Sequence, residues 1–316
     1  MDGYDDSEVA SAFRHALVLG HALSYQLGYL DHGMGAAVDA LALAELCEEL
    51  VDRPCDPAAL EAIADTMERF PLGPRGMAYE GERLILLGFI QPMYTDSGHG
   101  DGRLILSNLG NEDQWNEPPS KQPILRRLKN LTAQLHESKK RTTDIIDAHF
   151  ALGLKCSQIP RPERIKLGLD PRAVADSLPR NQEVLSGVLI RLRDMLRTQD
   201  LIGAMFAGTR IMVAIELHNA RRGAHPDSLD DLVPEFLPKL PTDPFAPGGR
   251  FVYRRVDPAV DPHGRHYLLY SVGNDGQDDG GYAIADPPHR ALQGSLPGKD
   301  YVFNLPRPTM PPPDGN

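Results

Sequence analysis

The strongest constraint on the fold of this chain is an abrupt change in proline content after residue 222. The stretch 181–222 contains no proline, and its apolar residues return every three or four positions. This pattern predicts one long helix, or two helices joined near Gln199 and Asp200. Six prolines then fall between residues 226 and 247. Because proline lacks an N–H donor and clashes with the preceding helical turn, the chain must continue there as turns and short strands.

Apolar residues with helical spacing also fill the N-terminal part of the chain. Asp56 and Pro57 are a favoured helix start, with Asp56 as N-cap, and the glycines of Gly33–Gly35 are expected to break a helix. The predicted helices cover residues 7–30, 36–51, 57–70 and 76–90, and helical character resumes over 121–152. Short connections between such helices favour antiparallel packing in a bundle or solenoid.

The C-terminal part has the pattern of a small β domain. Short strands are predicted over residues 249–254, 266–270 and 301–303. We therefore predict an α+β protein, mainly α-helical at its N-terminus, in which a long helix leads into a small antiparallel β head. The predicted divisions are a helical domain over 1–200 with a polar loop at 94–119, a C-terminal domain over 201–305 and a disordered tail over 306–316.

The charge balance argues against two classes of partner. The chain has 44 acidic and 33 basic residues, a formal net charge of −11, which repels phosphate backbones and anionic lipid heads. We expect no nucleic-acid partner. No stretch has the roughly 20 consecutive apolar residues of a typical membrane span, so we also expect no span in this chain.

Cysteines and histidines give weaker signals. Cys47 and Cys55 flank a predicted helix end, where a disulfide and two free buried thiols are both compatible with the sequence. His15 and His32 lie near the first predicted helix, and together with nearby carboxylates they allow an alternative function, a hydrolase-type enzyme with a site between the N-terminal helices. No complete catalytic motif accompanies these histidines.

Three blocks in the C-terminal part carry a family resemblance. The His-Pro-Asp-Ser-Leu step at 225–229 is followed by Leu-Pro-Thr-Asp-Pro-Phe at 240–245 and by Tyr-Ser-Val-Gly-Asn-Asp-Gly at 270–276. In this order they resemble the globular head of the major pseudopilin of type II secretion. The chain is also similar to a bacterial family, frequent in planctomycetes, in which a helical region precedes such a head. The resemblance covers about a third of the chain, from 202 to 303.

The resemblance implies a calcium site in the loop after the second predicted strand. It assigns the backbone carbonyl of Val272 and the carboxylates of Asp275, Asp278, Asp279 and Asp300 as ligands. Calcium takes six to eight oxygen ligands, which a glycine-rich loop with several carboxylates can supply. The alternative is a hairpin turn at 274–276 followed by a solvated loop, which needs no metal.

The resemblance also implies a role and a location. A pseudopilin begins with an apolar helix that assembles the filament, whereas this chain starts with acidic residues and several helices precede its head. We therefore expect a non-enzymatic structural or protein-interaction protein, with a protein partner, outside the cytoplasm in the bacterial envelope.

Overall fold

The computed structural model describes residues 5–24, 29–72, 76–95, 98–99, 101–105, 137–169, 183–281 and 300–306. These residues are mainly helical and include a small antiparallel sheet, so the predicted α+β class is confirmed. The helices are α1 (Asp6–Ser24), α2 (Tyr29–Asp52), α3 (Pro57–Arg69), α4 (Gly76–Ile90), α5 (Lys139–Ser157), α6 (Arg161–Lys166) and α7 (Glu183–Arg222). The strands are β1 (Val252–Arg255), β2 (Tyr267–Ser271) and β3 (Tyr301–Val302), and short 3-10 helices cover Gln91–Met93 and Leu229–Leu232.

The centre of the molecule is α7, a single continuous helix of 40 residues. This resolves the choice that the sequence left open at Gln199 and Asp200, because no break occurs there. Helices α2, α3 and α5 and strand β2 all pack against α7. Ile211, Met212 and Ile215 are fully buried within the main hydrophobic core. The long helix therefore joins the N-terminal helices to the C-terminal sheet.

The prediction that Gly33–Gly35 breaks a helix is wrong, because α2 runs through this segment. The reason is close packing between α1 and α2. A Cβ atom on Gly35 would lie 2.1 Å from Ser24 Oγ, and one on Gly20 would lie 2.0 Å from Asp39 Oδ1. Gly20 and Gly35 therefore allow two helices to approach, and the packing offsets the low helix propensity of glycine.

The helices predicted over 57–70 and 76–90 are found where the sequence places them, whereas the first, predicted over 7–30, ends at Ser24, and α2 begins at Tyr29. Pro57 stands at the start of α3 and Asp56 is its extended N-cap residue, but the Asp56 side chain makes no capping hydrogen bond. Instead, the Asp56 N–H donates to the carboxylate of Asp6 at 2.6 Å, which ties the start of α3 to the start of α1. The described part of the predicted 121–152 helix is α5, where the Ser138 side chain accepts the Arg141 N–H at 3.3 Å.

The sheet has the order β1-β2-β3, with both pairs antiparallel, and the three predicted strands are confirmed. Tyr270 of the central strand pairs with Val252 on one side and Val302 on the other. Every residue of β2 is buried. Immediately after β3, the ring of Phe303 occupies the space over Gly208 of α7, where a Cβ would lie 1.9 Å from its Cζ. The sheet is thus fixed directly on the long helix.

Two further expectations concern the cysteines and the membrane. The three cysteines, all within the described residues, form no disulfide, and Cys47 Sγ lies 3.3 Å from Thr209 Oγ1, so the possible bridge to Cys55 is not formed. In the part of the chain that the structure describes, one helical stretch, Met195–Arg222, passes a test of length and apolar composition for a membrane span. This candidate is weak, because 72% of its apolar window is buried inside the protein, as in the core helix of a globular domain.

Several predicted regions lie outside the described residues. These are most of the polar loop at 94–119, the first half of the 121–152 helix and the tail after residue 306. At the start of the polar loop, Tyr94 and Leu104 form an isolated antiparallel bridge.

Candidate functional site

The predicted calcium loop follows β2 directly. Val272 is buried, and from there to residue 281 the chain makes a series of tight turns. Gly273, Gly276, Gly280 and Gly281 have φ angles of 68°, 71°, 78° and 80°. These left-handed conformations strain residues with a Cβ, which explains why four glycines occur in so short a loop. They allow the loop to fold back towards the start of β3.

Asp300 is the centre of this arrangement. It is fully buried next to β3, and its two carboxylate oxygens accept the N–H groups of Gly281 at 2.7 Å and Asp279 at 3.4 Å. Burial raises the pKa of Asp300, and the carboxylates of Asp278 and Asp279 raise it further, although the two N–H groups act in the opposite direction. The structure thus brings three of the predicted ligands, Asp278, Asp279 and Asp300, into one neighbourhood.

The other aspartates make bonds that hold the loop itself. Asp278 Oδ1 accepts the hydroxyl of Tyr270 at 2.8 Å and the N–H of Gly280 at 2.9 Å. Asp275 Oδ1 accepts the N–H of Gln277 at 3.0 Å, which closes a local turn. This bond makes Asp275 part of a local turn in the connection between β2 and β3.

The chemistry of these residues suits calcium, but their present geometry does not form a complete site. Carboxylate and carbonyl oxygens are the ligands that calcium prefers. Among the described residues, however, no group of three or more His, Cys, Asp or Glu side chains is close enough to hold a metal ion. Three of the predicted carboxylates instead accept hydrogen bonds from the loop. Calcium binding by Val272, Asp275, Asp278, Asp279 and Asp300 therefore remains a prediction.

A second buried carboxylate lies next to the start of the predicted calcium loop. Asp243, in the turn between the 3-10 helix at 229–232 and β1, is fully buried and accepts the N–H of Phe245 at 2.9 Å. Burial raises its pKa, while the N–H of Phe245 and the hydroxyl of Ser271 oppose that shift. Because Ser271 ends β2, Asp243 connects the Leu-Pro-Thr-Asp-Pro-Phe turn to the start of the predicted calcium loop.

Arg161, the first residue of α6, contacts the loop from the helical side. Its guanidinium donates to the backbone carbonyl of Asn274 at 3.1 Å and lies over the ring of Phe245, 5.0 Å from the centroid. The sequence analysis missed this residue. A lone arginine beside two prolines carries no motif, and its partner Asn274 is 113 residues away.

A cleft of about 310 Å³ begins beside Arg161, where α2, the α5–α6 connection, α7 and the turn at 242–244 meet. On its α7 side, Asp200 forms an ion pair with Arg164, with side-chain exposures of 13% and 7%. Burial raises the pKa of Asp200, and Arg164 opposes the shift. Arg164 also donates to the carbonyl of Cys156 at 3.1 Å. The ion pair therefore fixes α6 and the end of α5 to the long helix.

The structure does not bring His15 and His32 to one site. His32 is buried and lines the cleft, whereas His15 is exposed and lines a separate surface depression between α1 and α3. The His21 ring packs edge-on against Phe70 with centroids 5.8 Å apart. Thus the arrangement that would have favoured the hydrolase alternative, a shared pocket of His15 and His32 with carboxylates, is not formed among the described residues.

A titratable cluster that the sequence analysis did not identify lies between α7 and the sheet. The Tyr267 hydroxyl donates to Glu216 Oε1 at 2.8 Å, and His225 Nε2 lies 3.9 Å from the same oxygen. The His225 ring stacks on His266 at 5.3 Å. Burial raises the pKa of Glu216 to about 7 and lowers the pKa of His225 to about 4. The only sequence signal was His225 itself, which belongs to the His-Pro-Asp-Ser-Leu step.

Comparison with known proteins finds no family model, no curated protein sequence and no solved structure that matches this chain. The structure assigns the chain to the α+β class with a three-stranded antiparallel sheet. The pseudopilin-type head stays a prediction from the ordered sequence blocks.

Proposed function

We propose that this protein is a non-catalytic structural or protein-interaction protein whose helical domain carries a calcium-stabilised head of pseudopilin type. It acts outside the cytoplasm, in the bacterial envelope, and binds a protein partner through its helical surface. The order of the three sequence blocks at 225–229, 240–245 and 270–276 supports the kind of head. The small sheet packed on a long helix is compatible with it.

The observation that carries the proposal is that Asp278 and Asp279, in the glycine-rich loop, lie near the buried Asp300. Asp300 is fully buried, and its two neighbouring carboxylates raise its pKa. Like charges held close together destabilise one another, and a bound cation removes that repulsion. A hard divalent cation with oxygen ligands is the species that this group of carboxylates would recruit.

Binding would reorganise the loop. Asp278 would exchange its bonds to Tyr270 and Gly280 for metal coordination, and Asp275 would open its turn at Gln277. The carbonyl of Val272 would complete the ligand set that the resemblance implies. Because only the folded loop holds these ligands together, calcium would stabilise the folded protein in proportion to its concentration above the dissociation constant.

A partner-binding role is supported by the exposed face of α4. Leu84, Ile85 and Phe89 have exposures of 53%, 52% and 63%. Ile85 and Phe89 are one helical turn apart, and Leu84 is next to Ile85 in the sequence. Neighbouring exposed apolar side chains of this size are a common feature of protein interaction sites. This observation supports the interaction role.

Thermal unfolding with calcium and with a chelator tests the calcium proposal. We expect calcium at 100 times its dissociation constant to stabilise the wild type by about 2.7 kcal/mol. At roughly 2 to 4 °C per kcal/mol, the unfolding midpoint should rise by about 5 to 10 °C. The rise should be largely lost in Asp279→Asn and Asp275→Ala, which remove predicted ligands at exposed positions.

Asp257→Asn is the matched control. Asp257 lies outside the predicted site, and its carboxylate also accepts a local hydrogen bond, from the N–H of Ala259 at 2.9 Å. It should keep the full response to calcium. Equal midpoints with calcium and chelator in the wild type would overturn the calcium site, and the loop would then be an ordinary hydrogen-bonded connection.

A further inference from the structure

The depression between α1 and α3 has a volume of about 810 Å³ and shares no lining residue with the cleft beside Arg161. The two helices that border it run in the same direction. At their starts, the Asp56 N–H donates to Asp6. Near their ends, the ring of Phe70, which follows α3, packs against His21 of α1. A surface depression along two helices can accommodate a third helix, which is a common mode of protein recognition.

Small side chains from both helices line the depression. They are Ser7, Ala10 and Ser11 of α1 and Ala58, Ala59 and Ala62 of α3. Because the side chains at a contact set the distance between packed helices, small residues allow another helix to approach closely. One larger apolar residue of α1, Val18, also lines the depression and is 41% exposed. This surface has room for a helix, and its charges indicate which helix fits.

The face of α1 at this depression has opposite charges on the two sides of Ser11. Glu8 lies three residues before this serine, and Arg14 and His15 lie three and four residues after it. With this spacing all four residues share one face of the helix, and all four are exposed. The Glu8 carboxylate accepts the N–H of Asp5 at 3.1 Å. In the described part of the chain, Arg14 and His15 have no ion-pair or hydrogen-bond partner for their side chains.

A reversed second copy of this face supplies the missing partners. At a rise of about 1.5 Å per residue, Glu8 lies about 4.5 Å before Ser11 along the helix axis. Arg14 and His15 lie about 4.5 and 6 Å beyond Ser11. When two copies of α1 cross antiparallel at the serine, Glu8 of one copy is therefore level with Arg14 and His15 of the other. A parallel arrangement would put like charges next to each other, which is unfavourable.

We propose that this protein forms a symmetric dimer in which the α1 helices of two copies pack antiparallel, each along the depression of the other, with Ser11 at the two-fold axis. The symmetry forms the contact between Glu8 and Arg14 twice. The charges set the antiparallel orientation, and the small residues of both helices allow the close contact. This dimer goes beyond the proposed function and depends neither on calcium nor on the exposed face of α4.

Sedimentation equilibrium of the full chain tests the proposal. We expect the wild type to be dimeric at submillimolar concentration. Arg14→Glu and Glu8→Arg each place like charges opposite one another, twice per dimer, and should raise the dissociation constant of the dimer at least about tenfold. The variant with both substitutions exchanges the two charges, so its dissociation constant should return to within about threefold of the wild-type value.

Arg141→Glu is the matched control, because Arg141 is also exposed and helical but lies on α5, outside the depression. It should dimerise as the wild type does, and circular dichroism of every variant checks the fold. A wild type that stays monomeric at submillimolar concentration would overturn the proposal. A dimer that folded Arg14→Glu leaves unchanged, or that the double substitution does not restore, would overturn it as well.

A cysteine at the proposed axis tests the register of the two helices. In Ser11→Cys the dimer brings the same residue of both copies together, and cysteines whose Cα atoms lie within about 7 Å can form a disulfide. We expect mild oxidation to convert this variant to a covalent dimer on a non-reducing gel, while the three natural cysteines of the wild type give the background rate. Ala148→Cys, at an exposed position of α5, is the control and should crosslink far more slowly. Equal rates for Ser11→Cys and Ala148→Cys would show that the two copies do not meet at Ser11.

Discussion

Two glycines of α7, five positions apart, show how differently the two sides of this helix are used. At Gly208 the ring of Phe303 lies so close that a Cβ would be 1.9 Å from it, whereas at Gly203 a Cβ would have no neighbour within 4 Å. The first glycine closes the contact between helix and sheet, and the second leaves room in the cleft. The structural role of a glycine inside a helix therefore depends on what surrounds it.

The charged residues of α7 divide in the same way. Towards the cleft, Asp200 is paired with the guanidinium of Arg164. Towards the sheet, Glu216 has the hydroxyl of Tyr267 as its hydrogen-bond donor and lies near His225. The cleft side uses a charged pair, whereas burial on the sheet side favours the neutral forms of its titratable groups. The comparison predicts that the two sides respond differently to mutation and to pH.

The largest expected effect is on the cleft side. Arg164→Met leaves the Asp200 carboxylate buried without its cation, and removing one partner of a buried pair costs about 3 to 5 kcal/mol. The free energy of unfolding in urea measures the loss. Arg69→Met is the control, because Arg69 and Asp65 form an exposed pair at 3.8 Å, and such surface pairs contribute about 0 to 1 kcal/mol. Similar losses in the two variants would show that the Arg164 pair acts as a surface contact.

The next effect compares the two glycines directly. Gly208→Ala forces Phe303 and the sheet away from α7, and overpacking of this kind destabilises by about 1 to 3 kcal/mol. Gly203→Ala meets no atom and removes the conformational cost of glycine, so it should stabilise by about 0.5 to 1 kcal/mol. The free energy of unfolding in urea, measured for both variants, shows whether each substitution stabilises or destabilises the protein. If both substitutions destabilise the protein, the inferred contrast between the closed and open sides of α7 is wrong.

Local patterns in the sequence were sufficient for much of the fold. Helix α3 starts at Pro57, α7 covers the proline-free stretch, and the three strands lie at the predicted positions. These elements depend on apolar spacing and on proline, which act over a few residues. The failure at Gly33–Gly35 has the opposite cause. Glycine lowers local helix propensity, but the contact with α1 stabilises the helix through that segment.

The sites were less predictable, because they depend on residues far apart in the chain. The resemblance implied that Asp278, Asp279 and Asp300 belong to one site; in the structure the first two carboxylates raise the pKa of the third, and calcium binding stays a prediction. By contrast, the sequence analysis gave no reason to join Arg164 to Asp200, 36 residues away, or Arg161 to Asn274, 113 residues away. Such contacts arise from helix packing, which periodicity alone does not specify.

The smallest effect expected in the unsubstituted protein concerns pH and the sheet side of α7, where the titrations of Glu216 and His225 oppose each other. Burial raises the pKa of Glu216 from 4.5 to about 7, so the folded protein binds more protons than the unfolded chain in that range, and this contribution to stability falls as pH rises from 4.5 to 7. Burial lowers the pKa of His225 from 6.5 to about 4, so its contribution rises with pH from 4 to 6.5. The two slopes oppose each other between pH 4.5 and 6.5.

Single substitutions should separate these slopes. In Glu216→Gln, which keeps an acceptor for Tyr267, stability should rise with pH from 4 to 6.5, because the His225 contribution is no longer opposed. In His225→Gln, stability should fall from pH 4.5 to 7. Both variants keep the neighbouring titratable and charged groups unchanged. These are His218, Asp227, Tyr253, Arg255, His266 and Tyr267. His263→Gln, at an exposed histidine of the same domain, should leave the pH profile of the wild type intact. Parallel profiles of the free energy of unfolding for all four proteins would mean that Glu216 and His225 titrate as exposed groups do, and burial on the sheet side of α7 would then not shift their pKa values.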